Sequence, residues 1–203
     1  AYTAIAAIGM FFVILIGGID LSIGSTIQIV GMTSIIMLNN GCSVALTIIS
    51  VLLLSIGCGL INGLLVTYGK LQPFIVTLVM KEILAGLILV ISGAQSISGV
   101  NIPESFMNIG TGYIGIIPIP VVIMGIGFVI ALFVMSKTIY GRQLYVTGSN
   151  RTAAYNSGVN VRLVQISAYV LCSLCAAVSG LLTVARTGAF QPSTTSQGAT
   201  GME

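Results

Sequence analysis

Residues 44–66 read VALTIISVLLLSIGCGLINGLLV, a stretch without one charged side chain. As a helix rising about 1.5 Å per residue it is about 35 Å long, enough to cross a hydrocarbon core of about 30 Å. Period-two alternation is absent, and a membrane barrel would need shorter, alternating segments. Working outward, five more apolar runs appear: Ala4 to Ile16, Leu21 to Leu38, Phe74 to Ile91, Ile114 to Met135 and Leu163 to Ala185. The first is cut short by Gly17-Gly18 and Asp20. The expectation is an all-α, polytopic transmembrane bundle with five full spans, a truncated first one, and a broken helix near Gly17–Asp20. Composition agrees: charged residues make up 5% of the chain, against about a quarter in soluble domains, so lipid must be the solvent for much of it. The chain starts inside an apolar run and stops at Met202-Glu203 without a closing element. It therefore reads as a single transmembrane domain over 1–203, truncated at both ends.

The few charges give an orientation. Lys137, Arg142, Arg151 and Arg162 share one loop, 136–162, that holds no acidic residue. The positive-inside rule makes that loop cytoplasmic. Alternation then places the 93–112 loop outside, where it carries Glu104 and no Lys or Arg. The Tyr68–Gln72 turn, with Lys70, falls inside, and so does the Gly17–Ser22 break. Arg186 falls near the outer end, weakly against the rule.

Helices in lipid associate through close backbone approach rather than hydrophobicity. Gly59 and Gly63 form a GxxxG on the third run, and Cys172, Ala176 and Gly180 form a small-residue stripe on the last. Cys172 and Cys175 have metal or redox spacing, but no second ligand pair exists, so they read as small hydrophobes. Pro118 and Pro120 stand where a helix tolerates proline best. The chain has no His, which removes His-based acid–base, triad and most zinc chemistry. No paired carboxylates or ligand set appear, which argues against an enzyme.

Three constellations remain. In GGIDLSIGS, residues 17–25, Gly17 and Gly18 can end one helix while Asp20 or Ser22 caps the next, and Gly24 follows. Such a sequence makes either a surface turn or a discontinuous helix beside a cavity, as transporters use. In the second, Pro73 starts a helix that carries Phe74, Thr77, Lys81 and Glu82. Lys81 lies about 12 Å along it. An ion near mid-bilayer costs about 2.5–3.5 kcal/mol. As sequence neighbours, Lys81 and Glu82 are expected to point apart and to need other partners, or to snorkel to the interface. In the third, Asn150 or Ser149 caps a short helix over Arg151–Ser157 that Gly158 ends. Ala153 and Ala154 would let another surface approach it. Gln28, Asn62 and Gln95 are further polar candidates for a passage.

Taken in order, GGIDLSIGS (17–25), GLINGLLVTYGKLQPFIVTL (59–78) and YGRQLYVTGSNRTAAYNSGVNV (140–161) resemble the ribose-type permease family of bacterial ABC importers. The likeness runs from about Gly17 to the C-terminus and includes a last motif over Gln191-Pro192 to Gly201-Met202-Glu203. The resemblance implies a multi-pass subunit of the bacterial cytoplasmic membrane that carries a monosaccharide or similar small polar solute inward. It implies cytoplasmic ATPase subunits that hold the ATP and Mg, an extracytoplasmic solute-binding protein, and a second permease subunit, identical or paralogous. It implies neither a cofactor or metal on this chain nor a nucleic-acid partner. Within 136–162, Arg142, Gly148, Asn150, Arg151, Ala153, Ala154 and Gly158 match the family's ATPase-coupling loop. Gly17, Gly18, Asp20, Ser22 and Gly24 match its signature break, and Phe74 and Thr77 a second signature. Gln28, Asn62, Phe74, Thr77, Lys81 and Gln95 are the candidates for the translocation path. Two positions depart from the pattern: Ala85 precedes Gly86 where members often have Arg, with Lys81 one turn earlier, and Thr152 precedes the two alanines in place of an acidic residue or proline. The competing reading within transport is a secondary transporter driven by an ion gradient.

Overall fold

A computed structural model describes residues 1–192; the Gly201–Glu203 part of the last expected motif lies outside them. The chain forms α1 (Tyr2–Leu15), α2 (Ile23–Asn39), α3 (Val44–Thr67), α4 (Pro73–Ser92), β1 (Ile97–Ser98), α5 (Glu104–Thr111), β2 (Tyr113–Ile114), β3 (Ile117–Pro118), α6 (Ile119–Lys137), α7 (Ile139–Ser149), α8 (Arg151–Asn156), α9 (Val161–Thr187) and β4 (Ala189–Phe190). Among the described residues, four helices, α3, α4, α6 and α9, are long and apolar enough to cross a membrane.

The run Leu21–Leu38, expected to span, does not give a full-length span. Its helix, α2, has 17 residues, about 25 Å. The turn at Asp20–Ser22 consumes residues that a longer helix would have used, so α2 starts inside the protein rather than at its surface. Likewise α6 begins at Ile119, not Ile114, because Tyr113–Ile114 pairs antiparallel with Ile117–Pro118 in a hairpin.

The last helix, α9, is the axis against which α1, α2, α3 and α5 pack. Small residues set its spacing. A Cβ placed on Gly59 would stand 2.8 Å from the Tyr169 carbonyl oxygen and from Val170 Cα, and one on Gly63 would stand 2.9 Å from Ile166 Cα. The GxxxG of α3 thus lets two backbones touch. On the other side of α9, a Cβ on Gly180 would meet the Ile27 carbonyl of α2 at 2.6 Å. Cys172 and Cys175 face α1, where a Cβ on Gly9 would lie 2.7 Å from Cys175 Cβ. The CxxC spacing is therefore a packing face.

The two ends of the bundle differ. At one end lie the Tyr68–Gln72 turn, α7 and α8, with Arg162 stacked over the Tyr68 ring at 5.4 Å. Burial pushes the Tyr140 phenol above its usual range, opposed by its bond to Ser167; that 2.7 Å contact ties α7 to α9. At the other end, β1 pairs with β4 and α5 folds back with Phe106 buried. Asn39 holds this cap: its Oδ1 accepts from the amides of Val100 (2.9 Å) and Asn101 (3.4 Å), and its Nδ2 donates to the Ser98 carbonyl at 3.0 Å. The α6 helix stands apart with an apolar cleft between it and α1, lined by Ala4, Phe11, Phe128 and Leu132.

Candidate functional site

The site grows from the backbone that ends α1. Gly17 has φ +71° with open space around its Cα, and Gly18 sits where a Cβ would meet the Tyr169 hydroxyl at 2.7 Å. Glycine takes the first conformation without strain, and at the second a Cβ would require Tyr169 or Val13 to shift. The chain then reverses. Asp20, 2% exposed, accepts on Oδ1 from the Ser22 amide at 2.9 Å and from the Ser22 hydroxyl at 2.6 Å. Ser22 occupies the N-cap of α2 and makes no side-chain cap bond. Instead of the expected cap by Asp20 or Ser22, the aspartate closes the turn that precedes the helix. Thr26 donates to the Ser22 carbonyl at 2.9 Å.

Residues remote in sequence complete this turn. Asn62, fully buried on α3, donates from Nδ2 to the Ser22 Oγ at 2.8 Å. Thr77 of α4 donates to the carbonyls of Pro73 (2.8 Å) and Ile19 (3.3 Å). Ser25 of α2 donates to the Lys81 carbonyl at 3.1 Å. From the basic end, Arg151 Nη2 donates to the Ile16 carbonyl at 3.2 Å. Gly148 comes so close that any Cβ there would overlap the Leu15 carbonyl. The break is thus a buried polar hub where α1, α2, α3, α4, α9 and the α7–α8 segment meet. Gly17, Gly18, Asp20, Ser22, Asn62, Thr77, Gly148 and Arg151 are brought together there. Gly24 lies on the first turn of α2, where an added Cβ would meet nothing within 4 Å outside its own helix backbone.

The remaining candidates lie elsewhere. Asn150 caps α8, its Oδ1 accepting from the Thr152 and Ala153 amides at 3.0 Å. The helix expected over Arg151–Ser157 runs Arg151–Asn156, and Gly158 follows at φ +81°. Ala154 is fully buried against this chain, whereas Ala153 is exposed. Only one of the two alanines therefore offers a surface to a partner, because the helix turns about 100° per residue and seats Ala154 inward. Tyr155, which sequence reasoning passed over, is 72% exposed beside it. Arg142 is exposed on α7. Phe74 is exposed on α4, away from the hub, and Gln95 is exposed in the 93–103 loop. Neither joins the others.

Lys81 and Glu82 correct the expectation that they point apart. Lys81 Nζ lies 3.5 Å from Glu82 Oε1, with Glu82 65% exposed. The spacing rule governs Cβ directions, and two long side chains bend back over that gap.

Gln28 belongs to a second place. A cavity of about 420 Å³ opens at the end opposite the break, between α1, α2 and α9 under β4. Among the described residues it is lined by Tyr2, Gln28, Thr183, Thr187, Phe190 and Gln191 together with glycine and aliphatic residues, none of them charged. Its polar and aromatic lining consists of two amides, three hydroxyls and two aromatic rings.

The family described as "Branched-chain amino acid transport system / permease component" matches residues 1–202. The ribose import permease protein of Haemophilus influenzae is 37% identical over 191 residues, covering 93% of this chain and 59% of that protein. That of Bacillus subtilis is 37% identical over 192 residues, 95% of this chain and 60% of the relative. The D-allose transport system permease protein of Escherichia coli is 35% identical over 191 residues, 94% and 58% respectively. The chain thus spans about 60% of the length of these relatives. No solved structure matches.

Proposed function

The chain belongs to the branched-chain amino acid transport system / permease component family, and from that premise we propose that it is part of the membrane subunit of an ATP-driven importer for a monosaccharide-like solute. The family description names amino acids, while the relatives are named for ribose and allose. The uncharged lining of the outer cavity favours the sugar side. A carboxylate and an ammonium would each need a charged or densely bonded partner there.

The observation that carries the reading is α8: a short helix on the basic end, exposed at Ala153 and Tyr155, standing directly on the helix break. Segment 136–162 is then the coupling region, facing the cytoplasm, where separate ATPase subunits bind ATP and Mg and dock on α8. A solute-binding protein delivers from the side of α5. A second permease subunit completes the path along α4. The Lys81–Glu82 pair supports that last assignment, because a carboxylate about halfway along an apolar helix is costly against lipid and tolerable against water or protein.

The test is uptake in proteoliposomes that hold the full-length protein with its ATPase and binding protein, using a panel of pentoses and hexoses. Uptake that needs ATP and the binding protein supports the reading. Uptake that survives ATP depletion and collapses with an ion gradient refutes it in favour of a secondary transporter.

A further inference from the structure

The α7–α8 segment packs on α1 through Leu144, which shares a buried cluster with Phe12, Val13 and Ile16, and two further contacts are made at the last turn of α1. Helix ends leave carbonyls without intrahelical partners, and a cation beside them is favoured by the helix dipole. Arg151 satisfies the Ile16 carbonyl at 3.2 Å. Gly148 approaches the Leu15 carbonyl so closely that no other residue fits. The next residue, Gly17, has φ +71°, and a Cβ added there would meet nothing within 4 Å. Beyond the turn, α2 is held separately: Asn62 of α3 binds Ser22, Thr77 of α4 binds the Ile19 carbonyl, and Ser25 binds the Lys81 carbonyl. The α1 side of Gly17 is thus gripped at its base by the basic segment and packs along its length on α9, while the α2 side is bonded to α3 and α4.

Tyr2, at the far end of α1, and Gln28, in the first half of α2, both line the outer cavity. The α1 helix has 14 residues, about 21 Å, so a tilt of about 10° at its base displaces its tip by about 4 Å. We infer that Gly148 and Arg151 form a latch on α1, through which movement of α8 tilts α1 against α2 at Gly17 and resizes the cavity at the other end. This rests on the transport reading for its purpose, but the latch itself is a contact within one chain. It makes Arg151 and Gly148 positioning residues turned toward α1 of their own chain, and leaves Ala153 and Tyr155 to the partner.

The experiment uses the full-length protein and the variants Arg151→Ala, Arg151→Lys and Gly148→Ala. In proteoliposomes with ATPase and binding protein, Arg151→Ala keeps the ATPase bound but lowers solute carried per ATP about tenfold, as loss of one charge-assisted bond allows. Lysine at 151 recovers part of it, and Gly148→Ala behaves as Arg151→Ala does. Wild-type transport per ATP in both Arg151→Ala and Gly148→Ala overturns the latch, and so does loss of the ATPase from Arg151→Ala. Amide exchange of the detergent-solubilised protein needs no nucleotide. There, residues 16–20 exchange roughly tenfold faster in Arg151→Ala and return toward wild type in Arg151→Lys. Unchanged exchange overturns the contact. A wild-type protein without ATP-dependent uptake sinks the transport reading, while the exchange result still decides the latch.

Discussion

Gly59→Ala should loosen the bundle, and Gly57→Ala, two residues earlier on the same helix, should tighten it. A Cβ at 59 would lie 2.8 Å from Tyr169 O and Val170 Cα and 2.9 Å from Ser173 Oγ, whereas one at 57 meets nothing within 4 Å. Carbon contacts settle at about 3.5–4.0 Å, so α3 and α9 must part by about 1 Å, a gap that forfeits a quarter to a half of each contact along the seam. Overpacking of this kind costs about 1–3 kcal/mol. Alanine returns about 0.8–1 kcal/mol of helix propensity at either position. The net is a loss of up to about 2 kcal/mol at 59 and a gain of up to about 1 kcal/mol at 57. For a chain of this size that corresponds to a Tm lowered by up to about 8 °C and raised by up to about 4 °C. Gly63→Ala added to Gly59→Ala should cost less than the sum, since the same two helices are already apart. Thermal unfolding of the full-length protein in detergent reads all four. A Gly59→Ala variant as stable as Gly57→Ala would refute the backbone contact between α3 and α9.

Two further outcomes follow from the ends of the bundle. Asn39→Ala removes three hydrogen bonds to Ser98, Val100 and Asn101, each worth about 1 kcal/mol at most in an exposed position. Limited proteolysis between residues 97 and 103 should accelerate, and an unchanged cleavage rate would show that Asn39 does not hold the cap. Ser157→Cys should react with an impermeant maleimide only in inverted vesicles and Asn101→Cys only in right-side-out ones, read by mass spectrometry of the labelled peptides. Labelling of both from one side would contradict the orientation taken from Lys137, Arg142, Arg151 and Arg162.

The apolar helices were legible because lipid leaves so little choice: a run such as Val44–Val66 must span or be buried. The break was legible as two glycines and an aspartate, and the cap at Asn150 as a side chain of the right type before a short helix. What the break is bonded to was not. The Asn62–Ser22, Thr77–Ile19 and Arg151–Ile16 contacts are separated by 40, 58 and 135 residues, and no periodicity links positions so distant. The inward face of Ala154 depends on where α8 sits against the bundle, which six residues cannot specify by themselves. The shortness of α2 was hidden because hydropathy counts Leu21 and Ser22 with the apolar run, although their backbone is spent on a turn. Asn39 and Tyr155 carried no pattern at all; each acts through a neighbour that only the fold supplies.

The dispersed motifs of this chain nonetheless answer one physical demand. Ending a helix inside an apolar bundle releases backbone groups that lipid cannot bond, and each unmet group costs several kcal/mol. Here Ile16 O is met from α8, Ile19 O from α4, and the Ser22 amide by Asp20, whose partner hydroxyl is met in turn from α3. The Asn of GLING, the Thr of PFIVT and the Arg of SNR are therefore parts of one turn, supplied by three different segments. A plain uninterrupted helix would need none of them. That the sequence provides all three, and places one on the segment exposed to the basic end, is the reason to regard the break as the moving part rather than a defect between two spans.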